Sequence, residues 1–366
     1  MDQPQEKQLD LFKEVSVLEE KLNSVNLPPE LKDHAHSMLQ RLIRMARFGG
    51  YSLQFEQVAA YIDWITALPW TARSDDLLDL EHAKKILDKN HYGLNQIKDR
   101  VLEYIAVQKI KKDKAKTKPP AEKEEEILKL MRAPILCFVG LVGTGKTTIA
   151  YSIAEAMGRR FARIPFGGMG SPLDLRGQSR VHPDAEVGLV LKSLRRVQTK
   201  NPVILLDEID RVTDEGRSSI MGVLVELLDP EQNMAFRDHF IDYPFDLSEV
   251  LFIATCNNTT NISTAVLDRL EPLQMPSYTD EEKIKIGRDF VLPRTITEAG
   301  LLPTQIIIED SVWPKIVRPL GYDAGIRTLE RTINGLVRKI ARLVVEGKGQ
   351  KFNLTPENIK DFLPTW

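Results

Sequence analysis

The sequence predicts a doubly wound α/β domain, preceded by an all-α segment and followed by a small helical lid. Three observations carry this. Short, nearly continuous apolar runs stand at 134–140 (PILCFVG), 161–166 (FARIPF), 202–208 (PVILLDE) and 250–257 (VLFIATCN), each bounded by turn signals. Such runs suit parallel strands covered on both faces. Helical stretches such as TTIAYSIAEAMG (147–158) and RSSIMGVLVELLD (217–229) lie between them, the alternation of a parallel sheet with helices on both sides. The first run also leads directly into a glycine-rich loop that opens a helix.

Taken in order, residues 6–25 carry Leu9, Phe12, Val15, Leu18, Leu22 and Val25 at three- and four-residue steps, one apolar helical stripe. Pro28 and Pro29 break it. A second helix is expected from Glu30 to about Phe48, stopped by Gly49 and Gly50, and a third through EQVAAYIDWITAL (56–68) before Pro69. These helices pack on each other or on a partner; the pattern leaves that open. Residues 80–110 read as two helices separated by His91, Tyr92 and Gly93. Lys111 to Glu126 is nearly all charge and proline, too polar to bury itself, and reads as a solvated, mobile insertion. Its acidic half argues against a nucleic-acid arm. After Pro276 the strands thin out and helices return at 280–292, 310–320 and 325–348. The expected division is 1–78 helical, 79–276 α/β with the insertion at 111–126, and 277–366 lid.

The 366 residues are 42% hydrophobic and 28% charged, with a formal net charge of −2. That gives no global reason to expect a nucleic-acid or membrane binder. No apolar run reaches the roughly 18 residues that cross a bilayer. The opening MDQPQEKQLDLF lacks the apolar core of an export signal. Cys137 and Cys256 sit in strand-like runs, far from any His cluster, and read as small buried hydrophobes in a reducing compartment rather than zinc ligands.

The loop itself is Gly140, Leu141, Val142, Gly143, Thr144, Gly145, Lys146, Thr147, followed by Thr148. It matches G-x-x-x-x-G-K-[ST] in the strand–loop–helix context that the motif requires. Its glycines let successive backbone N–H groups curl around an anion, and the helix N-terminus adds a positive end. Lys146 can reach the β/γ-phosphates of ATP, and the Thr147 hydroxyl can bind Mg²⁺. The run 203–206 delivers Asp207 and Glu208 to the carboxyl end of a strand, where open α/β sheets bind ligands. Asp207 is expected to hold Mg²⁺, directly or through water, and Glu208 to polarise an attacking water, a hydrolase pattern. Asn257, at the next strand end, can contact the γ-phosphate or position that water; a turn-forming pair with Asn258 is the plainer reading.

The strings GLVGTGKT (140–147), LLDEID (205–210), ATCNN (254–258), LDRLEP (267–272) and GIRTLER (325–331) occur in that order. Together they resemble an AAA+ ATPase. YIDWITALPW (61–70), ILDKNHYGLNQIKDRVLEYIAVQ (86–108), LLDPEQNMAFRDHFIDYPFDLSEVLFIAT (227–255) and DAGIRTLERTI (323–333) narrow the resemblance to the ATPase module of the Lon protease family. It covers nearly the whole chain, with 1–78 resembling the C-terminal part of the Lon N-domain.

The resemblance implies an AAA+ P-loop domain with a helical lid, and further roles. Arg269 would be an arginine finger reaching the γ-phosphate of a neighbouring subunit, Arg327 a lid sensor of nucleotide state, and His91, Tyr92 and Gly93 an adenine pocket. A finger acting in trans implies a homo-oligomer, typically a hexameric ring, acting on unfolded or damaged polypeptide. The family's Ser-Lys peptidase domain and N-terminal β domain have no counterpart here. No peptidase activity is therefore expected of this chain alone; a separate peptidase chain could supply it. Where family members carry a pore-loop aromatic, the stretch 177–188 places His182, implying a weaker grip. Rival readings are a stand-alone remodelling chaperone or regulatory ATPase, and a DNA-associated AAA+ machine. Against the last, the sequence shows no helix-turn-helix or basic stripe. Without an Arg- and Ser-rich presequence, a bacterial cytoplasm is favoured over a mitochondrial matrix.

Overall fold

The computed structural model describes residues 3–46, 53–117, 135–318, 323 and 325–364. The three expected leading helices are present as α1 (Gln3–Ser24), α2 (Pro29–Ala46) and α3 (Leu53–Ala67). Val15, Leu18 and Leu22 of the α1 stripe are buried; the side chains of Leu9 and Phe12 lie outside the described set. The open question about these helices resolves toward the chain itself. Their buried residues belong to one continuous apolar cluster with Ile164, Ile204, Leu206 and Phe245 of the α/β part. Trp70 joins the two, its ring centroid 4.9 Å from that of Phe245.

A five-stranded parallel sheet follows, ordered β2-β3-β6-β1-β7. Its strands are β1 (Ile135–Val139), β2 (Phe161–Pro165), β3 (Val203–Asp207), β6 (Leu251–Cys256) and β7 (Leu270–Gln274). A short antiparallel pair, β4 (Phe236–Arg237) with β5 (Pro244–Phe245), interrupts the sequence between β3 and β6. β3 and β6 are buried at every position, which is why they read as unbroken apolar runs. One face is covered by α4 (Leu80–Asn90), α5 (Asn95–Thr117) and α6 (Lys146–Ala156). The other carries α7 (Leu189–Val197), α8 (Arg217–Leu228) and the leading helices. Cys137 and Cys256 are both free and buried, as expected.

Three expectations change. The sequence pattern missed β7: LEPLQ alternates rather than running apolar, and Pro272 argues against a strand. Among the described residues β7 pairs only with β1, at the sheet edge, where a residue without an N–H is tolerated. The charged insertion does not begin at Lys111, because α5 runs on to Thr117; its remainder lies outside the described residues. The lid is not purely helical. β8 (Ile306–Ile308) pairs in parallel with β9 (Phe352–Leu354) beside α9 (Asp280–Ile286), α10 (Leu292–Glu298) and α11 (Arg327–Val345).

The 280–292 helix also extends further than expected. It passes through a π-turn at Gly287–Val291 into α10. Pro293 has no N–H to donate back along an α-helix, and a widened turn absorbs the lost bond. Trp313, fully buried, fills the lid core against Gly287, where a Cβ would lie 2.8 Å from its ring.

Candidate nucleotide site

β1 lies between β6 and β7, so the loop that leaves its carboxyl end emerges inside the sheet rather than at its rim. That is the favoured place for ligands in an open α/β sheet. Gly145 precedes α6 with φ +94°, a conformation glycine adopts without strain. The loop carbonyls are tied inward: the Thr144 hydroxyl donates to Leu141 O at 2.9 Å, and Thr148 to Gly145 O at 2.8 Å. Gly145 to Thr148, at the start of this eleven-residue helix, line the cleft, where the first N–H groups of a helix have no partner within it.

Lys146 is buried, and its Nζ donates to Gly140 O at 2.5 Å, Leu141 O at 3.0 Å and Asn257 Oδ1 at 3.1 Å. Burial pulls its pKa below the usual lysine range, against the pull of Glu208, Asp207 and Asp210. Asp207 ends β3. It accepts the Thr255 hydroxyl on Oδ1 at 2.5 Å and Arg163 Nε on Oδ2 at 2.7 Å. Glu208 has φ +58°, and its N–H donates to Thr255 Oγ1 at 2.9 Å. Buried Asp210 accepts the N–H of Asn257 at 3.1 Å and of Asn258 at 3.4 Å. So Asn257 is tied into the site by its backbone as well as its side chain, beyond the plain turn reading.

The lid closes the cleft from above. Ile326 N–H donates to Gly143 O at 3.0 Å. Gly325 sits so close that a Cβ there would lie 2.5 Å from Val142 O. One cleft of about 120 Å³ is lined by Val142, Gly143, Gly145, Lys146, Thr147, Thr148, Asp207, Glu208, Arg327 and Glu330, among others. Residues separated by well over a hundred positions thus meet at the predicted loop.

His91, Tyr92 and Gly93 do not line that cleft. They stand between the sheet domain and the lid. His91 Nε2 is 2.9 Å from Ser152 Oγ on α6, and Lys98 Nζ donates to His91 O at 2.7 Å. The Tyr92 ring meets Phe290 of the lid edge-on, centroids 6.5 Å apart. Arg269 also lies away from its own cleft. It precedes β7, pairs with Asp229 at 2.7 Å and donates to Ala265 O at 2.8 Å. His182 and Val181 are exposed, Val181 at 86%.

Sequence reading missed Thr255, Asp210 and Arg163. Each acts across strands, and only a polar residue inside an apolar run, as in FIATC, could have drawn attention to Thr255.

The residues fit a nucleotide and a hard cation. Asn257 Nδ2 and Asp210 Oδ1 are buried without a partner among the described residues, polar capacity that an added phosphate or water would use. No group of three or more His, Cys, Asp or Glu among the described residues could hold a metal on its own. Mg²⁺ needs none, since it binds through one or two protein oxygens together with phosphates and water.

Comparison with known proteins agrees with this geometry. The family model described as "ATPase family associated with various cellular activities (AAA)" matches residues 136–277. The "Lon protease AAA+ ATPase lid domain" matches 297–352. The fold and cleft therefore define an AAA ATPase domain with its lid. More particularly, the chain is a Lon-type AAA+ module. It is 41% identical over 352 residues to Lon protease 2 of Thermus thermophilus, covering 96% of this chain and 42% of that protein. Lon protease of Lawsonia intracellularis is 41% identical over 355 residues, covering 97% and 40%. Lon protease 1 of Bacillus subtilis is 38% identical over 350 residues, covering 96% and 43%. The chain thus spans about two fifths of the length of these relatives. Among the described residues, no helix is long and apolar enough to cross a membrane.

Proposed function

We propose that the chain is a Mg²⁺-dependent ATPase that works in a closed ring, typically of six copies, and uses hydrolysis to move, unfold or remodel polypeptide. The observation that carries this reading is the meeting of the loop, Asp207, Glu208 and the lid's Arg327 on one cleft, with Arg269 held outside it.

Lys146 and the loop N–H groups bind and orient the phosphates, and Asn257 reads the γ-phosphate end. Thr147 and Asp207 would hold Mg²⁺, which when bound neutralises charge on the phosphates. Glu208 takes up proton density from the attacking water. Arg327 opens α11, so its position reports how the lid sits on the loop. Arg269, rigidly held by Asp229, is preorganised for a neighbour's nucleotide. His91, Tyr92 and Gly93 act as the hinge side of an adenine pocket that forms as the lid adjusts. We place the functional units at 1–78, 79–276 and 277–366. The clients are unfolded or damaged proteins in a bacterial cytoplasm, degraded, where degradation follows, by a Ser-Lys peptidase outside these residues.

Replacing Glu208 tests the chemistry. Glu208→Gln should bind ATP at near wild-type affinity while turnover falls by about 10² or more. Hydrolysis that persists in this variant refutes the role of Glu208.

A further inference from the structure

Arg163 lies on the strand next to Asp207, and no motif assigned it a role. In the parallel register of β2 and β3, Arg163 stands opposite Leu205 and Pro165 opposite Asp207. Arg163 and Asp207 therefore project from the same face of the sheet. Leu205, two residues before Asp207, marks it as the face packed by α6, since it shares a buried cluster with Ile149 and Ile153. The guanidinium reaches along this face and clasps one oxygen. Nε donates to Asp207 Oδ2 at 2.7 Å, and Nη2 lies 2.6 Å from the same atom. The other oxygen, Oδ1, accepts the buried Thr255 hydroxyl.

The two partners differ in kind. Thr255 is fixed within a strand and neutral. Arg163 is charged and 52% exposed, while Asp207 is 5% exposed, so the arginine can swing into water and the carboxylate cannot follow. A dication approaching Oδ2 meets a like charge at short range. Either the guanidinium leaves, or the cation binds less tightly.

We infer that Arg163 is a built-in competitor for the metal: its guanidinium holds Asp207 Oδ2 until a divalent cation displaces it. The inference rests on the reading of Asp207 as a Mg²⁺-binding carboxylate. Arg163 is then a positioning residue, acting through Asp207, and it raises the Mg²⁺ concentration at which nucleotide binds fully. A purely supportive arginine, fixing Asp207 ready for the metal, has the opposite sign, because removing it weakens Mg²⁺ binding.

The test is equilibrium binding of a fluorescent ATP analogue at fixed subsaturating concentration, with Mg²⁺ titrated from an EDTA baseline. It needs no assembly and no turnover. Arg163→Gln should lower the half-saturating Mg²⁺ concentration about threefold, as expected for loss of one half-exposed ion pair. Arg163→Lys keeps the charge but loses the planar fork, and should give a smaller fall in the same direction. It also carries the test should Arg163→Gln fold poorly. A midpoint that stays put or rises in both variants overturns the inference. Asp207→Asn separates the two levels. If it leaves the Mg²⁺ midpoint at the wild-type value, the metal reading of Asp207 fails, whatever Arg163 does.

Discussion

The Thr255 hydroxyl donates to Asp207 and accepts the N–H of Glu208, so one small side chain sets both acids of the cleft. Glu208 holds a left-handed backbone conformation, φ +58°, that costs a residue with a Cβ about 1–2 kcal/mol, and this bond helps to fix it. Thr255→Val keeps the shape and removes both bonds. Turnover should fall about tenfold or more, nucleotide affinity should change little, and stability should drop by about 1–3 kcal/mol. Equal turnover in the valine variant, measured beside a denaturant melt, contradicts that role. The loop residues, Asp207, Glu208 and Asn257 were legible in the sequence as candidates because each motif is local to its own strand end, that of β1, β3 or β6. Thr255, Asp210 and Arg163 were not, because they meet their partners across strands and the register that aligns them appears only once the sheet forms.

The junction between sheet and lid shows what an element can do with a buried imidazole. Burial, reinforced by the nearby Lys98 ammonium, lowers the His91 pKa from 6.5 to about 4. The folded state therefore favours neutral His91 beside Ser152. This contribution is fully present above about pH 6.5 and is lost as pH falls toward 4, where the unfolded chain takes up the proton first. The loss should amount to about 3 kcal/mol across that window. Denaturant melts at several pH values should therefore show a steeper acid loss for the wild type than for His91→Gln. Parallel pH profiles would remove His91 as the cause. The helices on either side were readable from periodicity and from the His91–Gly93 break. β7 and the π-turn were not, because Pro272 and Pro293 read as breakers until the edge position and the widened turn show how each is accommodated.

Across the whole molecule, the leading helices share one core with the sheet, so they are built into the α/β domain rather than tethered beside it. They also touch the loop near the expected grip. Arg180 stacks over the Tyr61 ring at 3.9 Å, while Gln178 N–H closes the loop base on Glu186 O at 2.9 Å. The tip then offers exposed Val181 next to His182, apolar surface that the His-for-aromatic reading had not counted. Arg269, fastened to Asp229 and absent from the lining of its own cleft, is the residue proposed to serve another copy. Arg269→Ala and Lys146→Ala should each be nearly inactive alone, the first lacking a finger to donate and the second lacking a working site. Mixed, they should recover a measurable fraction of wild-type hydrolysis, because an intact finger can meet an intact site. No recovery on mixing, or full activity of Arg269→Ala alone, argues against a finger in trans.

A ring motor acting on polypeptide is read out by steady-state ATP hydrolysis against protein concentration, with and without unfolded casein. Specific activity should rise with concentration as rings assemble, and casein should raise it further. A specific activity that is flat with concentration and indifferent to casein would contradict it.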